Sequence, residues 1–200
     1  MAQTCHLFVY GSFCEGLVHY DRIAQFVRSS RPASIKGSAY RLQVGFPVYL
    51  SDGDDLISGQ LVELEGPDVF FNILDEFHGF SPVNPEKSLF WKADAKARLE
   101  DESEQECWVY ALNPAKLPKS AESIPFGDWR ESLKRAPALT DTLTERQLTY
   151  VKKLGSTSGR EIVPIDLDLY RELMKLDLIV DKGRRLALSR LGREVFRFLA

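Results

Sequence analysis

Apolar and polar positions along this chain switch between two periods, and the switches mark its elements. Residues 6–10, His-Leu-Phe-Val-Tyr, form a short apolar and aromatic run stopped by Gly11-Ser12, the pattern of a buried first strand ending in a tight turn. Leu17, Val18, Ile23, Phe26 and Val27 then recur with a roughly helical period up to Arg31-Pro32, which predicts a helix over about residues 17–27. Strand-like pieces follow at residues 34–43, 48–50 and 56–64, separated by turn residues such as Ser51-Asp52-Gly53-Asp54, and their spacing predicts a curled sheet or barrel. Over residues 68–77 the apolar positions Val69, Phe70, Ile73, Leu74 and Phe77 lie on one helical stripe, so an amphipathic helix covers that sheet. Asp75, Glu76 and His78 sit at its end.

Beyond a turn at residues 81–85, strands are predicted at 88–99 and 107–112, flanking an acidic stretch, 100–106, that reads as a solvated hairpin tip. Residues 113–140 hold Pro114, Pro118, Pro125 and Pro137 with little periodicity, and read as a segment that wraps or links rather than forms core. The tail then predicts a helix over 144–154, a glycine-containing loop, a strand-like 161–165 and a helix over 166–176 with Asp166 as its N-cap. A hairpin of 178–180 against 186–188 follows, then a last helix with Leu191, Val195, Phe198 and Leu199 on one face.

Two hundred residues suit either one domain or one domain with a small appendage. The organisation predicted is a β-rich domain over residues 1–135, a linker over 136–143 and an α/β extension over 144–200. The net charge of −3 belongs to an ordinary soluble protein, but it is unevenly spread. Residues 141–200 hold 12 Lys+Arg against 9 Asp+Glu, a net of +3, which leaves −6 for residues 1–140. Cys5, Cys14 and Cys107 are odd in number and lack metal-type spacing, so reduced thiols in a cytoplasm are expected, with no metal and no cofactor. The start Met-Ala-Gln-Thr-Cys-His lacks signal-peptide character, and no apolar run reaches about 18 residues, which excludes a membrane-spanning helix by length.

Six short motifs occur in order: Val9-Tyr10-Gly11-Ser12, Gly45-Phe46-Pro47, Gly59-Gln60-Leu61-Val62-Glu63-Leu64, Leu74-Asp75-Glu76-Phe77-His78-Gly79, Trp108-Val109-Tyr110 and Gly127-Asp128-Trp129. Together they resemble the bacterial gamma-glutamyl cyclotransferase-like family over about residues 5–130. The resemblance implies an α+β fold, a small mixed β-barrel with covering helices and a pocket at its mouth. Enzymes of that family release 5-oxoproline from gamma-glutamyl compounds. The ligand implied is a small molecule of gamma-glutamyl or carboxylate type. Tyr10, Gly11, Ser12 and Phe13, with Tyr110 from a later strand, would form the binding wall, because backbone N–H groups of such a turn suit a carboxylate and Gly11 allows close approach.

In that family a glutamate after the Leu-Asp pair takes the proton from the attacking amine and returns it to the leaving amine. His78 occupies its position here. An imidazole exchanges protons near neutral pH but offers an ammonium no negative charge, so cyclotransferase activity is in question. Glu76, two residues earlier, belongs to a different helix face and is the weaker candidate base. The family's Tyr-x-Arg is Phe90-Trp91-Lys92 here, which removes a hydroxyl and a guanidinium fork. The plain alternatives are a helix-end histidine for His78, core aromatics for Tyr10 and Tyr110, and an inert Cys14 unless its pKa is depressed.

The tail's order of elements resembles part of a winged-helix module, with Lys182, Arg184 and Arg185 at the wing where phosphates could be met. A helix-turn-helix needs a further helix just before the recognition helix, and the two glycines and the proline of residues 155–164 leave little room for it. Docking onto the first domain, or formation of a homodimer, is therefore preferred to DNA binding for this element.

Overall fold

Period-2 patterning dominates the first two-thirds of the chain, and the computed structural model, which describes residues 4–157 and 161–199, turns it into a closed barrel. The chain divides into two units, Met1–Leu42 with Phe46–Arg135, and Gln43–Gly45 with Ala136–Ala200. The first unit runs β1 (Thr4–Val9), the one-turn α1 (Asp21–Ala24), β2 (Val27–Arg41), β3 (Pro47–Glu65), α2 (Pro67–His78), β4 (Phe90–Leu99), β5 (Glu104–Leu112), the short β6 (Glu122–Ser123) and α3 (Trp129–Arg135). Strand order is β3-β1-β5-β4-β2-β6, and β2 also pairs with β3, so five strands close and β6 extends β2. β1 and β5 run parallel at Leu7 and Trp108 while the other pairs are antiparallel.

Two local expectations give way to this pairing. The helix over 17–27 shrinks to the four residues of α1, and Val27 opens β2, because β2 finds partners along β3 from Val27 opposite Leu64 to Arg41 opposite Pro47. Long-range pairing outweighs a weak helical period. Residues 48–50 and 56–64 belong to one strand, since pairing resumes from Ser38 opposite Leu50 to Gly37 opposite Asp55 and residues 51–54 bulge out between them.

Leu7, Phe8, Ile35, Ile57, Leu61, Val62, Leu64 and Val109 are almost fully buried, on both faces of the curled sheet, and belong to the core of this unit. Gly59 is required there: a Cβ would lie 2.3 Å from the Val9 carbonyl oxygen and 2.4 Å from the Phe8 ring. Ile124 and Trp129 contribute to this core, although a wrapping or linking role was expected of the segment 113–140. Trp129 is 1% exposed and its indole N–H donates to the Ser58 carbonyl at 2.7 Å, and Ile124 is buried. Two large side chains suffice for this and leave no periodic trace.

α2 starts with Pro67 at its first position and buries Phe70, Leu74 and His78, spaced by four, on one face. It ends at Gly79, in the left-handed region with φ +60, where Phe80 N–H returns to the Asp75 carbonyl at 2.8 Å. This glycine stop places His78 in the last turn with its side chain inward.

The second unit contains α4 (Leu139–Thr142), α5 (Glu145–Ser156), α6 (Leu167–Lys175), the hairpin β7 (Ile179–Asp181) and β8 (Leu186–Leu188), and α7 (Arg190–Leu199). Thr144 and Gln147 form a capping box on α5, and Asp166 accepts from Leu169 N–H at 3.0 Å to cap α6. Residues 161–165 are irregular rather than strand. Among the described residues β7 and β8 pair with each other and not with this segment, and the Val163 carbonyl accepts from the Tyr150 hydroxyl at 3.1 Å. Residues 158–160 of the expected glycine-containing loop lie outside the described residues. At Gly192 a Cβ would stand 2.0 Å from the Leu178 carbonyl oxygen, so only glycine lets α7 approach that backbone. Among the described residues no helix is long and apolar enough to cross a membrane.

Candidate functional site

The turn after β1 and the last turn of α2 meet. Gly11–Phe13 is a 3-10 turn with Gly11 at φ +59, a conformation that favours glycine, and a Cβ there would press on the Pro47 ring at 3.0 Å. All three residues of the turn are buried. The Phe13 ring stacks on the His78 imidazole with centroids 5.3 Å apart. The Tyr110 ring lies almost parallel to the same imidazole at 4.0 Å and 6°. Phe77 and Phe90 meet His78 edge-on at 5.1 Å and 5.2 Å.

His78 is 9% exposed, and its Nδ1 lies 2.9 Å from the Leu74 carbonyl oxygen. A carbonyl oxygen only accepts, so Nδ1 carries a proton, and whenever the ring is neutral its lone pair is on Nε2. His78 is therefore held in place, hydrogen-bonded along its helix and stacked by aromatic rings. Glu76 is solvent-exposed, on a different side of α2 from buried Leu74 and His78.

Behind the imidazole is a polar network that no single motif shows. Tyr110 donates its hydroxyl to Asp75, and Lys92 reaches the other Asp75 oxygen at 3.2 Å. Burial, and then the hydrogen bond and charge of Asp75, hold the Tyr110 hydroxyl well above its ordinary value, so it stays a donor. The Lys92 ammonium also lies 4.0 Å from the centre of the Phe71 ring. Tyr10 links this network to the barrel: its hydroxyl donates to the Tyr110 carbonyl at 2.9 Å and accepts from Tyr49 N–H at 3.1 Å. Asp75 belongs to the recognised motif, and Lys92 stands in the Phe-Trp-Lys segment, so the signal was one charge facing another across α2 and β4.

A second histidine joins the cluster. His19 Nδ1 lies 2.8 Å from the Ser12 hydroxyl oxygen, and His19 N–H donates to the Ser12 carbonyl at 2.9 Å. The His19 ring packs on Phe77 at 4.7 Å and on Phe13 at 5.5 Å. Nothing in local patterning pointed to His19, seven residues beyond Ser12 in an irregular stretch. Cys14, just past the turn, is not activated: burial pushes its thiol up to about 11 against the opposing pull of Arg130.

Elsewhere on the first unit, His6, Asp94, Ala95, Lys96, Glu106, Cys107 and Trp108 line an open groove of about 740 Å³. In the second unit Lys182, Arg184 and Arg185 are exposed at the hairpin. The neighbouring α6 exposes Asp168 and Glu172 beside Arg171 and Lys175, so the three cations do not extend into a basic helix face. Among the described residues no group of three or more His, Cys, Asp or Glu side chains is arranged to hold a metal ion.

The closed barrel, the glycine turn after its first strand and the helix ending beside that turn define a cyclotransferase-type fold. A family model described as gamma-glutamyl cyclotransferase, AIG2-like, matches residues 7–131, and the chain belongs to that family. Among solved structures it is similar to YkqA from Bacillus subtilis at 21% identity and a TM-score of 0.50, over 67% of this chain. It spans 42% of the YkqA chain. An AIG2-like protein from Mus musculus is 15% identical over 58% of this chain and 81% of that one, with a TM-score of 0.44. A structure described as gamma-glutamyl cyclotransferase is 16% identical over 86% of this chain and 99% of that one, with a TM-score of 0.41. No curated protein matches the chain.

Proposed function

We propose that this chain is a cyclotransferase-fold binding protein for a small carboxylate-bearing ligand of gamma-glutamyl type, with 5-oxoproline formation lost. The observation that carries this reading is His78. In the position where the family resemblance calls for a carboxylate base, this chain has an imidazole whose Nδ1 proton is given to the Leu74 carbonyl and whose ring is stacked on by Phe13 and Tyr110. Forming 5-oxoproline requires a base to deprotonate the substrate's α-ammonium, and an imidazole supplies no negative charge to draw it in. The binding side of the reading is supported by the Tyr10-Gly11-Ser12 turn, which keeps the left-handed glycine needed for backbone to approach a carboxylate.

One observation favours a second reading. Because Nδ1 bears the proton, Nε2 is the basic nitrogen, which is the tautomer an active imidazole base requires. One experiment separates the two. Release of 5-oxoproline from a panel of gamma-glutamyl amino acids and amines is measured for the natural chain, His78→Ala and His78→Glu, with ligand binding followed by thermal shift. Silence in the natural chain, a ligand-induced rise in melting temperature, and activity appearing in His78→Glu support a retained pocket without its base. Activity in the natural chain that disappears in His78→Ala makes it an enzyme with a substituted base. No binding and no activity in any of the three sinks the ligand class.

A further inference from the structure

We infer that Ser12 and His19 form a nucleophile and base pair, which gives the site acyl-transfer chemistry separate from cyclisation. The substrate class, a gamma-glutamyl amide, rests on the reading above; the pair itself does not.

With the imidazole proton on Nε2, the Ser12 hydroxyl donates to His19 Nδ1 and the geometry is that of an activated hydroxyl. Ser12 Oγ and His19 Nδ1 are 2.8 Å apart, inside the range for proton transfer between a serine and an imidazole. The contact is not a chance meeting of mobile side chains. His19 is 2% exposed, its ring is wedged against Phe13 and Phe77, and its backbone N–H is bonded to the Ser12 carbonyl, so ring and hydroxyl are held in one register. Ser12 is 8% exposed, on the turn that the family resemblance makes the substrate wall. The same turn contains the left-handed Gly11, next to which a carbonyl could approach the backbone. Cys14, the neighbouring thiol, is held protonated up to about pH 11 and does not compete as a nucleophile at neutral pH.

The step balances without an outside oxidant or cofactor. Ser12 Oγ attacks the γ-carbonyl carbon and its proton passes to His19 Nδ1. The C–N bond of the amide breaks, the amine leaves with that proton, and a gamma-glutamyl ester of Ser12 remains. Water, deprotonated by His19, then cleaves the ester to give glutamate and restores the serine. The net reaction is amide hydrolysis, so the product is glutamate where the cyclotransferase route would yield 5-oxoproline. A second amine or hydroxylamine in place of water gives the transfer product.

The test uses the full chain with two probes. A fluorophosphonate reagent is expected to label it at one residue, located at Ser12 by peptide mapping, with no label on Ser12→Ala and labelling slowed roughly a hundredfold in His19→Gln. With gamma-glutamyl-p-nitroanilide and hydroxylamine, gamma-glutamyl hydroxamate is expected from the natural chain and not from Ser12→Ala. No label on the folded natural chain, a label that maps elsewhere, or equal labelling rates for His19→Gln and the natural chain overturns the pair and leaves a purely structural hydrogen bond. Mapping on the natural chain keeps the answer available if Ser12→Ala fails to fold. Label at Ser12 without hydroxamate retains the nucleophile and rejects the gamma-glutamyl class. Ligand-induced thermal stabilisation without label rejects the pair and leaves the binding reading intact.

Discussion

His78 and its neighbours are turned inward, whereas Lys182, Arg184 and Arg185 at the hairpin of the second unit are turned out. The imidazole is 9% exposed, stacked by Tyr110 at 4.0 Å and backed by the Asp75, Tyr110 and Lys92 network. The three hairpin cations are solvent-exposed. Behaviour of the inward group follows from its protein neighbours, since burial strengthens each hydrogen bond and raises the cost of losing it. Behaviour of the outward groups follows from solution conditions, because exposed charges are screened over about 8 Å at physiological salt. The comparison therefore predicts that substitutions in the first unit register as lost stability and those at the hairpin only as altered electrostatics.

The largest effect is expected at Trp129. Replacing it with alanine removes a ring that is 1% exposed and its 2.7 Å bond to Ser58, and denaturant unfolding should show a loss of about 3–5 kcal/mol. A loss below about 1 kcal/mol would return residues 113–140 to the role of a surface wrap. Next comes Lys92→Met, which takes the ammonium away from the Asp75 carboxylate. With both side chains of the pair less than a fifth exposed, the expected loss is about 1–3 kcal/mol, and adding Asp75→Asn should recover part of it in a double-mutant cycle. Additive losses would show that the network behind His78 does not act as a unit.

A smaller effect concerns pH. Burial raises the thiols of Cys14 and Cys107 from an ordinary value near 9 to about 11, so the folded state holds these protons more tightly than the unfolded chain. The stability they contribute is complete below about pH 9 and is lost as the pH rises through 11. Unfolding midpoints should fall across that window, and alkylation of the two thiols at pH 8 should be roughly a hundredfold slower than that of a free cysteine. The smallest effect on stability is expected from reversing Lys182, Arg184 and Arg185 to glutamate, which should move it by no more than about 0.5 kcal/mol. If the natural chain shows salt-sensitive duplex binding that this variant loses, the second unit is a nucleic-acid module and the contrast between the two regions is one of function as well as burial.

Within the chain, local signals resolve where chemistry and periodicity coincide. The stripe from Val69 to Phe77 is a helix because four-residue spacing and a terminal glycine act over one or two turns, and Asp166 announces α6 by the same local logic. The turn at Gly11 and His78 at the end of α2 are likewise readable in order along the motifs. By contrast, the weak helical pattern of residues 17–27 yields to β2, and 48–50 fuses with 56–64 into β3, because strand partners lie far away in sequence and their hydrogen bonds outweigh local preference. The same distance hides the site's second half. Lys92 lies 17 residues from Asp75, Tyr110 lies 35 away, and His19 meets Ser12 across an aperiodic loop. Residue types and turn chemistry thus determined the barrel class and the turn at Gly11. Which side chains face one another there was decided only when strand closure and the end of α2 brought distant, separately unremarkable groups within bonding range.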